Sequence, residues 1–107
     1  MRSVEFHILL ALASEERHGY AILQEVAALT GGEMQLEPGT LYRALHRMLK
    51  DGWVAESSRR PAADQDDERR RYYRITPFGL AVARAESRRL ARMLTLARAK
   101  GLAHGRA

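Results

Sequence analysis

Residues 38–54 read Pro38-Gly39-Thr40-Leu41-Tyr42-Arg43-Ala44-Leu45-His46-Arg47-Met48-Leu49-Lys50-Asp51-Gly52-Trp53-Val54. This stretch decides the fold, because it predicts a helix with one apolar and one basic face and marks both of its ends. Pro38 carries a fixed φ suited to a first helical turn, Thr40 is positioned to cap an orphan amide, and Asp51-Gly52 offers the left-handed residue that ends many helices. At about 3.6 residues per turn, Leu41, Leu45, Met48 and Leu49 fall on one side and Thr40, Arg43, Arg47 and Lys50 on another. Tyr42 and His46 flank the polar side. One half of the helix must be buried, and the other presents cations, hydroxyls and a ring. Amphipathicity alone implies only a solvated basic face, so any further meaning has to come from the rest of the chain.

On the N-terminal side, residues 4–13 are apolar-rich, with Val4, Ile8 and Leu12 on one stripe, Phe6, Leu9 and Leu10 beside it, and Glu5 well placed for a first turn. They predict a largely buried first helix. Ser14-Glu15-Glu16-Arg17-His18-Gly19 reads as a polar connection. Ile22, Leu23, Val26, Ala27 and Leu29 then repeat at helical spacing until Gly31-Gly32 stops them, giving a second helix. Gln35-Leu36 is long enough only for a stub of strand.

Beyond Gly52 the period changes to 2: Trp53, Ala55 and Ser57 alternate with Val54, Glu56 and Ser58, and residues 69–75 alternate as well. Two strands are expected, joined by a long hairpin tip over residues 59–68 that contains Pro61. Thr76-Pro77 is an N-cap followed by proline at the first helical position, and it starts a last helix reaching to about Lys100. Leu80, Ala83, Ser87, Leu90, Leu94 and Ala97 form one stripe, widened by Met93, while Arg84, Arg88, Arg89, Arg92 and Arg98 occupy the other faces. Such a helix of roughly 24 residues would be about 36 Å long, more than a small domain needs for its own core. Its surplus stripe is expected to pack on another copy of the chain.

The 107 residues, 46% of them hydrophobic, suit one domain with a modest core that a partner subunit would help. No run approaches the roughly 18 apolar residues of a membrane span, and residues 1–6 lack a signal-peptide layout, so a cytoplasmic location is expected. There is no cysteine, which excludes disulfides and thiol chemistry. Net charge is +5, but its distribution says more. Residues 1–36 carry two cations against five acids, residues 61–68 carry four acids alone, and residues 69–107 carry eleven cations against one acid. Cation excess begins at the 38–54 stretch and dominates the last third. Because 16 of the 18 cations are arginine in an alanine-rich chain, composition bias also contributes, and the overall basicity is given little weight.

Three helices, a hairpin and a further helix make a mainly α chain with a small β-hairpin, the element order of a winged helix-turn-helix domain. Four blocks go further: His18-Gly19-Tyr20-Ala21-Ile22, Pro38-Gly39-Thr40-Leu41-Tyr42-Arg43-Ala44-Leu45, Asp51-Gly52-Trp53-Val54, and Arg71-Tyr72-Tyr73-Arg74-Ile75-Thr76-Pro77-Phe78-Gly79. In this order and spacing they resemble the PadR family of bacterial transcriptional regulators, over residues 4–100, and the length resembles its short subgroup. The resemblance implies a homodimeric DNA-binding repressor whose C-terminal helix, helped by the first, makes the dimer. It also implies release by a small molecule, often aromatic or phenolic, bound near the dimer interface. Residues 1–76 would then be the winged helix-turn-helix unit and residues 77–107 the dimerisation helix with its tail.

Within that frame Thr40, Arg43, His46 and Arg47 are expected at base edges or adjacent phosphates. Tyr20, Tyr42, Lys50 and the wing arginines Arg59, Arg60, Arg69, Arg70 and Arg71 are expected on the backbone of a palindromic operator. Phe6, Leu80, Ala83, Leu90, Met93, Leu94 and Ala97 are the expected dimer contacts. The chain departs from the family at Ala21, where a polar residue is usual, and at Asp64, Asp66, Asp67 and Glu68, acids on a wing that is usually basic. Phosphate repels such a tip, so wing contacts fall to its flanks. Trp53 is read as core rather than a ligand platform.

Other function classes fare worse. No glycine-rich phosphate loop or nucleophile-base set marks an enzyme, and His7, His18, His46 and His104 lack metal-ligand spacing, so neither metal nor cofactor is expected. The main rival is a winged-helix module that binds a protein through the acidic wing. A membrane-surface role for the last helix ranks third, because its cations encircle the apolar stripe instead of sharing one face.

Overall fold

The computed structural model describes residues 1–57 and 71–104. Its elements run α1 (Ser3–Ala13), β1 (Arg17–His18), α2 (Gly19–Leu29), α3 (Pro38–Lys50), β2 (Val54–Glu56), β3 (Tyr72–Ile75) and α4 (Pro77–Ala99). The chain is mainly helical with a small antiparallel sheet, as the periodicity predicts. Arg59, Arg60, Arg69 and Arg70, with the acidic tip at Asp64, Asp66, Asp67 and Glu68, lie outside the described residues.

The three N-terminal helices close on one core. Ile8, Leu9 and Leu12 of α1, Ile22 and Val26 of α2, and Leu41, Leu45 and Met48 of α3 are buried, joined by Val54 and Tyr73 from the sheet. On α1 the buried set is Glu5, Ile8, Leu9, Ala11 and Leu12, so a glutamate heads an otherwise apolar stripe. Val4, expected in that stripe, is only partly buried at its edge. At the far end of α1, Arg17 donates from Nε to the Ala11 carbonyl at 2.7 Å and lies near Glu15 and Glu25, satisfying a carbonyl the helix end leaves open.

Four local expectations are corrected. Thr40 does not cap α3: Pro38 at the first helical position makes Glu37 the N-cap, with extended backbone and no side-chain cap bond, and leaves Thr40 inside the first turn. Gln35-Leu36 forms no strand. The additional strand is β1, inside the stretch expected to be a polar connection, where Arg17 pairs with Tyr73 and His18 with Tyr72. The sheet is therefore three-stranded, in the order β1-β3-β2, with Val54 opposite Ile75 and Glu56 opposite Tyr73. A two-residue strand has no period to read, and it exists because β3 leaves an edge for it. β2 is also shorter than its alternation predicts and begins after Trp53.

The stop after α3 forms as expected. Asp51 ends the helix and Gly52 takes φ 78°, a conformation costly for a residue with a Cβ, which turns the chain into β2. Thr76 caps α4 by accepting the Gly79 N–H at 2.9 Å, and its own hydroxyl donates to the Gly52 carbonyl at 2.6 Å. The start of α4 is thereby tied to the end of α3. The first half of α4 lies against α1 and β3, with Val82 and Ala83 packed on the core. Its second half runs clear of the body, and the molecule measures 55 × 28 × 21 Å.

Candidate functional site

Helix α3 cannot roll without emptying the core, because Leu41, Ala44, Leu45 and Met48 are all fully buried. Ala44 takes a place the periodicity had assigned to Leu49, which is only partly buried. The opposite face is fixed outward by the same contacts: Arg43, His46, Arg47 and Lys50 are exposed and Thr40 is half-exposed. Arg43 donates from Nη2 to the Thr40 hydroxyl at 3.4 Å, so two of the expected base readers stand side by side one turn apart. Four groups with cationic or ring chemistry thus share one rigid outward face, the geometry needed to enter a groove lined with phosphate.

Both edges of that face are pinned by other helices. On one, Tyr42 is half-buried and its hydroxyl rests against Gly19, the first residue of α2, where a Cβ would collide with it. His18 caps α2 there through Nδ1, which accepts the Ala21 N–H at 3.1 Å. Tyr20, the next residue of that turn, is 59% exposed, so its ring is presented to solvent from the start of α2. On the other edge, Nε of Arg47 lies 3.6 Å from Oε2 of Glu5. Arg71, the one expected wing contact among the described residues, is exposed and sits 3.8 Å from Glu56 across the base of the hairpin.

The expected dimer residues separate by depth. Phe6, Leu80, Ala83 and Ala97 are partly buried in the single chain, whereas Leu90, Met93 and Leu94 are 39%, 52% and 43% exposed. Leu10, one turn beyond Phe6 on α1, is exposed as well. It was readable from the (i, i+4) spacing but escaped because α1 looks apolar on every side. An open cleft of about 430 Å³ lies along α4, bordered by Val82, Glu86, Arg89 and Arg92 of that helix and by Met1 and Trp53. Trp53 is partly buried against the core and also borders this cleft, so it serves both surroundings. Glu86 accepts from Nε and Nη2 of Arg89 at 2.8 and 2.6 Å, and this hydrogen-bonded pairing holds its carboxyl below the ordinary carboxylate range.

Among the described residues no three metal-ligating side chains converge, and no helix is long and apolar enough to cross a membrane. Sequence reasoning missed Glu5 and Gly19. Glu5 stands out only as an acid within a buried stripe, and Gly19 only as a glycine directly before a helical period.

The model of the transcriptional regulator PadR-like family matches residues 8–85 of the chain. Over 88 residues the chain is 38% identical to transcriptional regulator Rv3488 of Mycobacterium tuberculosis, covering 82% of this chain and 76% of that protein. Among solved structures it is similar to a transcriptional regulator from Clostridium thermocellum, with 26% identity and a TM-score of 0.74 over 87% of this chain and 84% of that one. It also shares the fold of Bacillus subtilis PadR solved in complex with operator DNA, with 20% identity and a TM-score of 0.66 over 78% of this chain and 46% of that one.

Proposed function

The chain belongs to the transcriptional regulator PadR-like family, made up of regulators rather than enzymes, and from that premise we propose that it is a homodimeric DNA-binding repressor released by a small aromatic ligand. The observation that carries the DNA reading is the α3 face: Arg43, His46, Arg47 and Lys50 point outward from a helix whose other half is locked in the core. Arginine reads guanine bidentately, and lysine or a tyrosine hydroxyl anchors a phosphate oxygen without sequence preference. In this reading Thr40, Arg43, His46 and Arg47 face base edges or the phosphates beside them. Tyr20, Tyr42, Lys50 and the arginines flanking the wing hold the backbone.

The dimer reading rests on the distal stripe of α4, where Leu90, Met93 and Leu94 stay exposed on a helix that outruns its own domain. A second copy would cover that stripe, with Phe6 and Leu10 of α1 at its margin. Residues 1–76 then form the reading head and residues 77–107 the dimerisation element. Two-fold symmetry sets two α3 helices in successive major grooves, about 34 to 36 Å apart, so the operator is palindromic. Ligand release draws support from the cleft beside Trp53, where the indole offers a stacking face and Arg92 a cation, while Arg89 is already paired with Glu86 in the same lining. Such a regulator works where the chromosome is, in the cytoplasm.

Selection of bound duplexes from a random library, followed by anisotropy titration of the selected and scrambled duplexes, tests this reading. Dyad symmetry in the selected sequences and tighter binding to them are the expected results. Equal affinity for both duplexes, or a chain that stays single in solution, defeats it.

A further inference from the structure

Glu5 is the one charged residue in the buried stripe of α1, with 10% of its side chain exposed. A carboxylate withdrawn from water needs partners, and among the described residues Glu5 has two. Oε1 accepts the Arg2 N–H at 3.2 Å, closing the start of α1, and Oε2 faces Nε of Arg47 at 3.6 Å. Capping alone does not explain the position. An exposed first-turn glutamate would serve the helix end equally well, and an apolar residue at the head of the stripe would satisfy burial without desolvating a charge. What the buried site adds is contact with α3. Among the described residues Glu5 is the only ionic partner of Arg47, whose side chain is 43% exposed.

Arg47 lies at the edge of the outward face and carries five N–H donors in a planar fork. A free guanidinium on a flexible stem binds any phosphate within reach, which strengthens binding to all sequences alike. A guanidinium steadied at Nε by a fixed carboxylate has its charge partly offset and its orientation restricted, leaving its terminal nitrogens for a geometry-dependent contact such as a guanine edge. We propose that Glu5 is a positioning residue for sequence recognition: from α1 it restrains Arg47, so that this arginine discriminates between base pairs instead of adding indiscriminate phosphate affinity. The role rests on the DNA reading above. It also ties the reading helix to α1, the helix whose outer face carries Phe6 and Leu10.

The test is a cycle of four full-length proteins, the parent, Glu5→Gln, Arg47→Ala and the double substitution, titrated with a selected operator duplex and a scrambled duplex at several salt concentrations. Gln keeps the shape and the acceptor for Arg2 while removing the charge. Expected for Glu5→Gln are tighter binding to the scrambled duplex, a salt dependence steeper by about one unit, and an operator-to-scrambled ratio lower by about tenfold. In the Arg47→Ala background the same substitution should change neither slope nor ratio, an outcome that a merely structural role for Glu5 would not produce. If Glu5→Gln does not fold, Glu5→Asp, which retains the charge but draws it back from Arg47, should shift slope and ratio in the same directions. A parent that discriminates between duplexes while the Glu5 substitutions leave slope and ratio unchanged, or change them equally without Arg47, overturns the positioning role alone. A parent that binds no duplex overturns the DNA reading and this role together.

Discussion

Gly79, in the first turn of α4, lies so close to the backbone carbonyl of Trp53 that a Cβ on it would overlap the oxygen. The contact is the inner half of a lock. Thr76 donates its N–H to the same carbonyl at 3.0 Å and its hydroxyl to the neighbouring Gly52 carbonyl, while accepting the Gly79 N–H. The Thr76-Pro77-Phe78-Gly79 block therefore fixes where the long helix leaves the end of α3 and the start of β2.

Gly79→Ala should destabilise the chain. Alanine gains up to about 1 kcal/mol in helix propensity over glycine, but backbone is harder to displace than a side chain, and the overlap should cost more than that gain. A net loss of about 1–3 kcal/mol is expected in urea denaturation. An unchanged midpoint would show that α4 can shift away from Trp53 freely.

Gly19→Ala should act through Tyr42. Its Cβ would meet the Tyr42 hydroxyl and the end of the ring, and moving a half-buried ring is expected to cost about 1–2 kcal/mol. In a Tyr42→Ala background that cost should vanish. The coupling between the two positions, read from denaturation of the four proteins, measures the contact directly.

Arg43 and Lys50 should separate by kind. Arg43→Ala is expected to cost roughly 1–3 kcal/mol on the selected operator and to relax preference at one base pair. Lys50→Ala should weaken binding to all duplexes evenly and flatten the salt slope by about one unit. Anisotropy on operators changed one base pair at a time tells the two apart.

Leu90→Glu with Leu94→Glu should part the proposed dimer. Each leucine covered by a second copy contributes about 1.5–3 kcal/mol, and a carboxylate there opposes burial outright. Sedimentation should fall from the mass of two chains to one. The helical signal should persist, because neither side chain is needed by the core of the single chain.

Glu86 gives the chain a small acid-sensitive term. Its folded pKa is lowered, first by the hydrogen bond from Arg89, so the pair favours folding above the unfolded carboxylate pKa and loses that contribution as pH falls through the lowered folded value. Glu86→Gln should lower neutral-pH stability slightly and leave the most acidic end unchanged, flattening the stability curve across that window; the effect is small because the Arg89 end of the pair is open to solvent. Thermal melts at a series of pH values would read it.

Much of this protein was legible in the order of its residues. Pro38 and Asp51-Gly52 bound α3, Thr76-Pro77 starts α4, and the apolar period names Leu41, Leu45 and Met48 as core, because caps and periodicity act within one or two turns of chain. The outward set Arg43, His46, Arg47 and Lys50 follows from the same period. Three features belong to the tertiary structure alone: the pairing of Arg17 with Tyr73, the seat of Tyr42 on Gly19, and the reach of Glu5 to Arg47. Each joins residues more than twenty positions apart, and none leaves a repeating signal. Whether a glutamate merely caps its own helix or also steadies another depends on how closely α1 and α3 pack, and packing distance is a property of the assembled core rather than of any local stretch.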